Sequence, residues 1–512
     1  MGLIEKALGA VAPGWALSRA KNRYQLQAYE AANPSRLQKA KREGRSADAA
    51  VFSAGVSLRE QARWLDENHD IVIGILDKME ERVVGAQGIQ IEPQPLRMDG
   101  SLHKECAELF AKHWSEWSIR PEVTGKFTRA EVERLLLRSA LRDGEVFIQL
   151  VRGPVSGLQH ATSIQFSLEC LEADFVPMNL NSISGGNVQQ GIELNDWGRP
   201  IAFNVYKAHP ASSLRMSTAT KRVPADNMLH LAMRKRLHQL RGISLLHGVI
   251  TRLADIKDYE ESERVAARIA AALSFYIKRG DASQGEEGEF SEPGSARNFD
   301  IAPGMIYDEL RPGEDLGMVE SNRPNVHMYE FRNGQLRAVA SGTRGSYSSI
   351  ARDYNGSYSS QRQELVEGFE GYYVLQNWFV GQHSRPVYRA WVDILKNSKI
   401  KLPDDVDMST IYNAIYLGPV MPWIDPVKEA ESWKTIVRGG AGTEAEWIRA
   451  RGKSPQEIKR QRVQETEFNR ENGLVLDSDA ANDSGAKANE ETNKPAVDDA
   501  EGKSQRDRRR KR

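Results

Sequence analysis

ISLLHGVITRLADIKDYEESERVAARIAAALSFYIKRG, Ile243–Gly280, is the stretch on which the reading of this 512-residue chain turns. Ile243, Leu246, Ile250, Leu253, Ile256, Val265, Ile269, Leu273 and Ile277 recur near helical spacing for more than 30 residues. No proline interrupts the run, and Gly280 is a natural stop. A second long, mainly helical segment covers Gln363–Leu395. It carries Leu365, Phe369, Tyr372, Tyr373, Leu375, Trp378, Phe379, Val387, Trp391 and Leu395, with Pro386 marking a kink. Two such helices present more apolar face than one small domain covers, so neighbouring subunits are expected to cover the rest.

Upstream, LREQARWLDENHDIVIGILDKMEERVVG predicts a helix through Leu58, Ala62, Leu65, Ile71, Ile75, Met79 and Val83, stopped by Gly85. GIQIEP reads as a short strand ended by Pro93. Helices follow at Leu102–Trp117 and Thr128–Arg142, the second opened by a Thr128-x-x-Glu131 capping box. DGEVFIQLVRG is the cleanest strand, and strand-like pieces continue through IQFSLEC, GIELNDWGRPIAFNVYK and the approach to His230. Residues 57–242 therefore form a mixed α/β domain behind a basic, partly disordered arm at 1–56.

Downstream of the long helix region at 243–280, the segment 281–324 opens with a Gly/Glu/Ser-rich projection and a strand-and-turn element. A helix is expected around Asn325–Ala340, within 325–341, followed by a Gly/Ser/Tyr-dense loop at 342–362. The segment 363–422 holds the second long helix and a turn at Pro403 and Asp404. The segment 423–471 ends in a helical piece, Ala445–Arg470. Beyond about Asn472 almost nothing apolar remains to be buried, and disorder is expected through 472–512.

The formal charge is +0, but it is unevenly laid out. An acidic stretch from about Asp477 to Glu501 gives way to Arg508, Arg509, Arg510, Lys511 and Arg512. That basic end reads either as a solubilising tail or as a contact to DNA or an acidic partner. Two cysteines, Cys106 and Cys170, form no disulfide framework and read as small buried or half-buried residues. No apolar run approaches the roughly 20 residues of a membrane span, and the N-terminus does not read as a secretion signal.

The chain lacks a phosphate-binding G-x-x-x-x-G-K-[ST] loop, H-E-x-x-H, paired C-x-x-C and G-x-S-x-G. No catalytic residue, cofactor or metal is expected. His103 and His113 read as structural or surface residues. The basic cluster Arg234, Lys235, Arg236 and Arg241 reads as a solvated face, or as an inter-subunit or nucleic-acid contact. Acidic residues of the 250s helix would repel a DNA backbone and keep a sliding duplex from sticking.

Several segments resemble the lambda-type portal proteins of tailed bacteriophages. They are ERVVGAQGIQIEPQP at 81–95, DGEVFIQL at 143–150, LHLAMRKRLHQLRGIS with Arg241–Ser244, and IAPGMIYDELRPGEDLGMVESNRPN at 301–325. The most specific is YSSIARDYNGSYSSQR, Tyr347–Arg362, followed by the Trp/Tyr-rich helix through PVYRAWVDIL. The sequence departs from the family at ASGTR, Ala340–Arg344, where relatives read a glycine-rich turn.

The resemblance implies an α+β portal fold, with an α/β wing at 57–242 completed by 363–422, a long-helix stem, a clip at 281–324 and a helical crown at 423–471. It implies a homo-oligomeric ring, usually of twelve subunits, in the virion at the capsid portal vertex, assembled in the host cytoplasm. The ring would conduct double-stranded DNA without sequence specificity. It would dock the terminase large subunit, nucleate assembly with major capsid and scaffold proteins, and join head-completion or tail-adaptor proteins, with no membrane. Ile256–Lys278 looks like a stem helix, with Asp255, Lys257, Asp258, Glu261 and Arg264 as candidate lining. Tyr347, Tyr358, Ser359, Ser360 and Arg362 would belong to a channel-side loop. The alternatives are another capsid-associated protein, such as a head–tail adaptor or scaffold component, and a metal-dependent nuclease or peptidase.

Overall fold

A computed structural model describes residues 43–182, 187–212, 218–271, 275–279, 314–318, 327–422 and 425–474, with the isolated positions Gly14, Ser18 and Lys21. Most of the expected arm and clip, the boundary residue Trp423 and the tail with Arg508–Arg512 lie outside the described residues.

The N-terminal helical pattern is realised as two helices. α1 spans Ala47–Asn68, capped by the Ser46 side chain on the Ala49 amide, so it starts ahead of the expected Ser57. α2 spans Asp70–Val83. The chain turns between them at His69, whose backbone is extended (φ −124°, ψ 109°). A buried ring hydrogen bond from His69 to the Leu253 carbonyl, 3.0 Å, pins that corner. Gly85 follows α2 with φ +75°. β1 is Gln90–Pro93, α3 Lys104–Ser118 and α4 Arg129–Asp143, the last with both arms of the Thr128/Glu131 capping box formed.

β2 (Glu145–Arg152) is the centre of a three-stranded antiparallel sheet, between β3 (Phe166–Glu172) and a later strand, β8. β4 (Val188–Gln189), β5 (Ile192–Leu194), β6 (Pro200–Tyr206) and β7 (Thr220–Pro224) make a four-stranded antiparallel sheet in chain order. β8, Met228–Ala232, then returns to β2 with His230 opposite Phe147. Between the two sheets lies a small core of Phe147, Leu171, Ile192, Phe203, Val205 and Val223. Cys106 is buried as expected, whereas Cys170 on β3 is exposed.

α5 runs Ile250–Ala271 and is shorter than its sequence pattern. The expected helix through Lys278 gives way to β9, Phe275–Arg279, paired antiparallel with β10, Glu314–Met318. Phe275, Tyr276 and Ile277 suit a strand, and a partner strand distant in sequence decides against the helix. α6, Met328–Thr343, packs beside α5 through Arg332–Glu260 (2.6 Å) and the rings of Tyr259 and Phe331 (5.1 Å).

The expected loop 342–362 contains helix. α7 is Tyr347–Ala351, and α8 begins at Tyr358 and runs to Phe379, capped by Ser357 on the Ser360 amide. A π-helical turn, Val380–Ser384, joins α8 to α9, Arg385–Lys396, so the break expected from Pro386 falls just ahead of it. β11, Ala414–Leu417, pairs with β1 across more than 300 residues, Gln90 opposite Leu417. The C-terminal part is α10 (Pro426–Arg438), α11 (Glu444–Ala450) and α12 (Pro455–Glu471). The single helix expected over Ala445–Arg470 is divided because Gly452 takes φ +70° and Pro455 opens a new first turn.

The main core joins both ends of this path. Phe110 and Trp114 of α3 meet Tyr388 and Trp391 of α9 in edge-to-face contacts, with Trp114–Trp391 centroids 5.2 Å apart, and Trp117 lies against Trp114 and stacks on Phe166. The Trp117 indole donates to the Phe166 carbonyl, 2.9 Å, so the largest buried side chains also bridge to the β2 sheet. Among the described residues no helix is long and apolar enough to cross a membrane.

Candidate functional site

The most heavily built polar centre lies where α4 ends, β2 begins and the Arg241–Ser244 segment leads into α5. Glu145 and Arg241 are both fully buried. Arg241 donates from Nε to both Glu145 oxygens (2.8 and 2.9 Å) and from Nη1 and Nη2 to the carbonyls of Gln190, Val176 and Ala173. The Gly242 amide donates to Glu145 at 3.0 Å, and His230 Nε2 lies 2.9 Å from the same carboxylate. Burial alone would raise the Glu145 pKa, but Arg241 and His230 hold it well below the usual carboxylate range.

Two backbone segments approach closely at this point. Gly144 ends α4 in the left-handed region, φ +92°. A Cβ on Gly242 would lie 2.0 Å from the Gly144 carbonyl oxygen, so the two glycines let chain segments nearly 100 residues apart cross in direct contact. Around them Arg59 reaches Asp174 (3.1 Å), and Arg63 reaches Asp143 (2.7 Å) and Asp174 (2.5 Å). Arg138 gathers Asp66, Asp77 and Glu80 at 2.5–2.7 Å. Glu172, Asp174 and His209 bring ligand-type atoms within 4.8 Å of one another, but the Arg63 guanidinium already lies against both carboxylates.

Of the candidate lining residues, Asp255, Asp258, Glu261 and Arg264 are exposed along α5. Lys257 differs: its ammonium donates to the Asn68 carbonyl (2.7 Å) and sits 4.6 Å from the centre of the Trp64 ring. It therefore anchors α5 to the end of α1 and is half-buried.

The Tyr347–Arg362 segment is held by two carboxylates. Asp353 accepts from the hydroxyls of Tyr329 (3.1 Å) and Tyr347 (3.2 Å) and from the Asn355 amide; that amide hydrogen bond is the first of the contacts holding its pKa low. Glu364 accepts from the Ser348 amide at 2.9 Å and from its hydroxyl. Arg352 takes the left-handed conformation, φ 54°. So does Arg344, φ 60°, at the end of α6. Arg344 closes the ASGTR departure, where an arginine takes a conformation more comfortable for glycine. Tyr358, Ser359, Ser360 and Arg362 are exposed, on the first turns of α8 rather than in a loop. Tyr347 is half-buried beneath the Arg337 guanidinium, 5.0 Å from its ring centre.

A profile of the phage portal proteins of the lambda family matches residues 33–376, more than half of the chain and all of the junction just described. This chain belongs to the lambda family of phage portal proteins. It is 24% identical over 433 residues to the probable portal protein of Halomonas phage phiHAP-1, covering 81% of each chain. It is 20% identical over 468 residues to portal protein B of Escherichia phage lambda, covering 84% of this chain and 87% of that one. The portal protein of Escherichia phage N15 is 22% identical over 319 residues, 56% of this chain and 60% of that one. Among solved structures, the neck of a native gene transfer agent particle computed with C12 symmetry overlaps with a TM-score of 0.46 at 12% identity. It covers 78% of this chain and 94% of that one.

DGEVFIQL and Arg241–Ser244 stand as separate family blocks in the sequence, and the fold joins them. The available signal was a lone Glu145 opening the apolar run VFIQL, a charge that a buried strand accepts only with a partner. In this portal-family chain that partner is 96 residues away. His103, read as structural, is fully buried and bonds Asp405 at 2.8 Å.

Two buried histidines make the fold sensitive to acid. Burial, aided by Arg234 and Arg241, pushes His230 down to about 4 despite Glu145. Burial and Arg129 push His383 down to about 3. The unfolded chain protonates near 6.5 and the folded chain does not, so stability is full above that pH and is lost as pH falls toward 4. Each histidine contributes a slope of up to about 1.4 kcal/mol per pH unit in this window. Urea midpoints at pH 7.5 and 5.0 should show this loss, and His383→Phe should reduce it; a flat profile would refute the assignment.

Proposed function

We propose that this chain is the subunit of a portal ring, a head–tail connector through which double-stranded DNA enters and leaves a phage head. The observation that carries the reading is the family match over residues 33–376, which runs from the N-terminal helices into α8. The portal names borne by the phiHAP-1, lambda and N15 relatives support it. The paired helices α5 and α6 are compatible with it: α5 exposes Asp255, Asp258 and Glu261 together with Arg252, Arg264 and Arg268, a mixed-charge surface on which the acids would limit how tightly a polyanion is held. A ring of twelve copies would close by rotation through a heterologous interface, needing no catalytic residue in the subunit.

On this reading the ring docks the terminase large subunit, seeds assembly with capsid and scaffold proteins, and later receives head-completion or tail-adaptor proteins. Assembly takes place in the host cytoplasm and the product resides in the virion. The exposed first turns of α8, with Tyr358, Ser359, Ser360 and Arg362, are the proposed channel contact. Arg362→Ala should leave ring assembly intact and lower the DNA packaged per head; normal packaging would remove that assignment.

Electron microscopy of the purified chain tests the whole reading. Rings of twelve around a hole admitting a duplex of about 20 Å are expected. A monomer at high concentration, or a ring with no wide hole, would overturn it, the latter favouring an adaptor.

A further inference from the structure

The cavity beside β11 is not used by the portal reading. It has a volume of about 330 Å³ and is lined by Arg385 and Arg389 of α9, Ser409, Tyr412, Asn413 and Tyr416. The two arginines are one helical turn apart on an exposed face, about 6 Å along the axis. Arg385 lies over the Tyr416 ring (5.6 Å) and Arg389 over the Tyr412 ring (5.1 Å). The rings flank each guanidinium, and the fork of N–H donors that a guanidinium carries suits a carboxylate. Among the described residues neither arginine has a carboxylate at ion-pair distance. The nearby Asp393 is engaged by the Tyr412 hydroxyl at 2.5 Å. Beyond the cavity, among the described residues β11 pairs with β1 alone in a two-stranded sheet, and its second edge has no strand partner.

We propose that this cavity is the docking site for the chain's own acidic C-terminal segment, Asp477–Glu501. That segment carries Asp477, Asp479, Asp483, Glu490, Glu491, Asp498, Asp499 and Glu501 against only Lys487 and Lys494, the charge opposite to the cavity's. In an extended chain, residues two apart point the same way at about 6.6 Å, so Asp477 and Asp479 match the arginine spacing. The reach is sufficient. Arg449 of α11 holds Glu92 of β1 at 3.3 Å, next to β11, and α12 adds about 25 Å before the chain leaves Leu474. The residues from 475 to 501 can span up to about 90 Å. Docking would hold the basic end, Arg508–Arg512, near the wing and tie up the acids that would otherwise neutralise it.

The test uses the full-length chain with a photo-crosslinking phenylalanine analogue in place of Ser409, an exposed cavity residue. Irradiation followed by peptide mapping should join position 409 to residues within 475–501. The yield should fall at least tenfold when the eight acids are changed to their amides, a change outside the folded core, and again in Arg385→Ala/Arg389→Ala. Crosslinks confined to other segments, or an unchanged yield in the amide variant, would overturn the proposal. Neither result bears on ring formation, which microscopy reads independently.

Discussion

Arg241→Ala is expected to destabilise the subunit by about 3–5 kcal/mol, the range for removing one partner of a buried ion pair. The reason is what remains behind. Glu145 would stay fully buried with its main cation gone, and the carbonyls of Ala173, Val176 and Gln190 would each lose the Arg241 donor. A domain's whole stability is about 5–15 kcal/mol, so most of the soluble yield should go as well. Arg241→Lys keeps the charge but not the fork that serves two carboxylate oxygens and three carbonyls together, and should recover only part of the loss. Urea-unfolding midpoints would measure both variants. A value for Arg241→Ala within 1 kcal/mol of the parent would show that the junction is not the structural centre described here.

Gly242→Ala and Gly144→Ala should be comparably severe, for a different reason. The new Cβ on Gly242 would lie 2.0 Å from the Gly144 carbonyl oxygen and 2.7 Å from its carbon. On Gly144 it would lie 2.4–2.6 Å from the backbone of Ile243, at a φ of +92° that costs an alanine further. Both obstacles are backbone, so no side chain can swing aside. Overpacking and strain together set a cost of about 3–5 kcal/mol for each. Gly74→Ala is the internal control: it lies in the middle of α2 with open space around it, and should be neutral or gain up to about 1 kcal/mol. If all three glycine variants melt alike, close backbone approach is not what the junction requires.

Some of this architecture was readable without coordinates. The Thr128/Glu131 box marked the start of α4, and Pro93 the end of β1, because capping and proline chemistry act within a few residues. Pro386 announced a break that proved to be a π-helical turn. Other features were not readable. The pattern through His69 is apolar at helical spacing on both sides, and the corner is held by contacts from α5, the His69 ring on the Leu253 carbonyl and Lys257 on the Asn68 carbonyl. Residues 342–362 look like loop by composition, yet Ser357 caps α8 and Glu364 and Asp353 hold the preceding segment. The candidate residues of that stretch stand on a helix for this reason.

The sequence by itself determined the family, the mixed α+β class and the order of most elements. These depend on periodicity, caps, turns and block order, which are written along the chain. Tertiary structure alone decided where the long helix stops, since β9 exists only against β10. It also decided that Lys257 is an anchor to α1 and that Glu145 belongs with Arg241. A buried charge must find its counter-charge wherever the folded path brings one, and that path is set by the packing of distant segments rather than by neighbours in the chain.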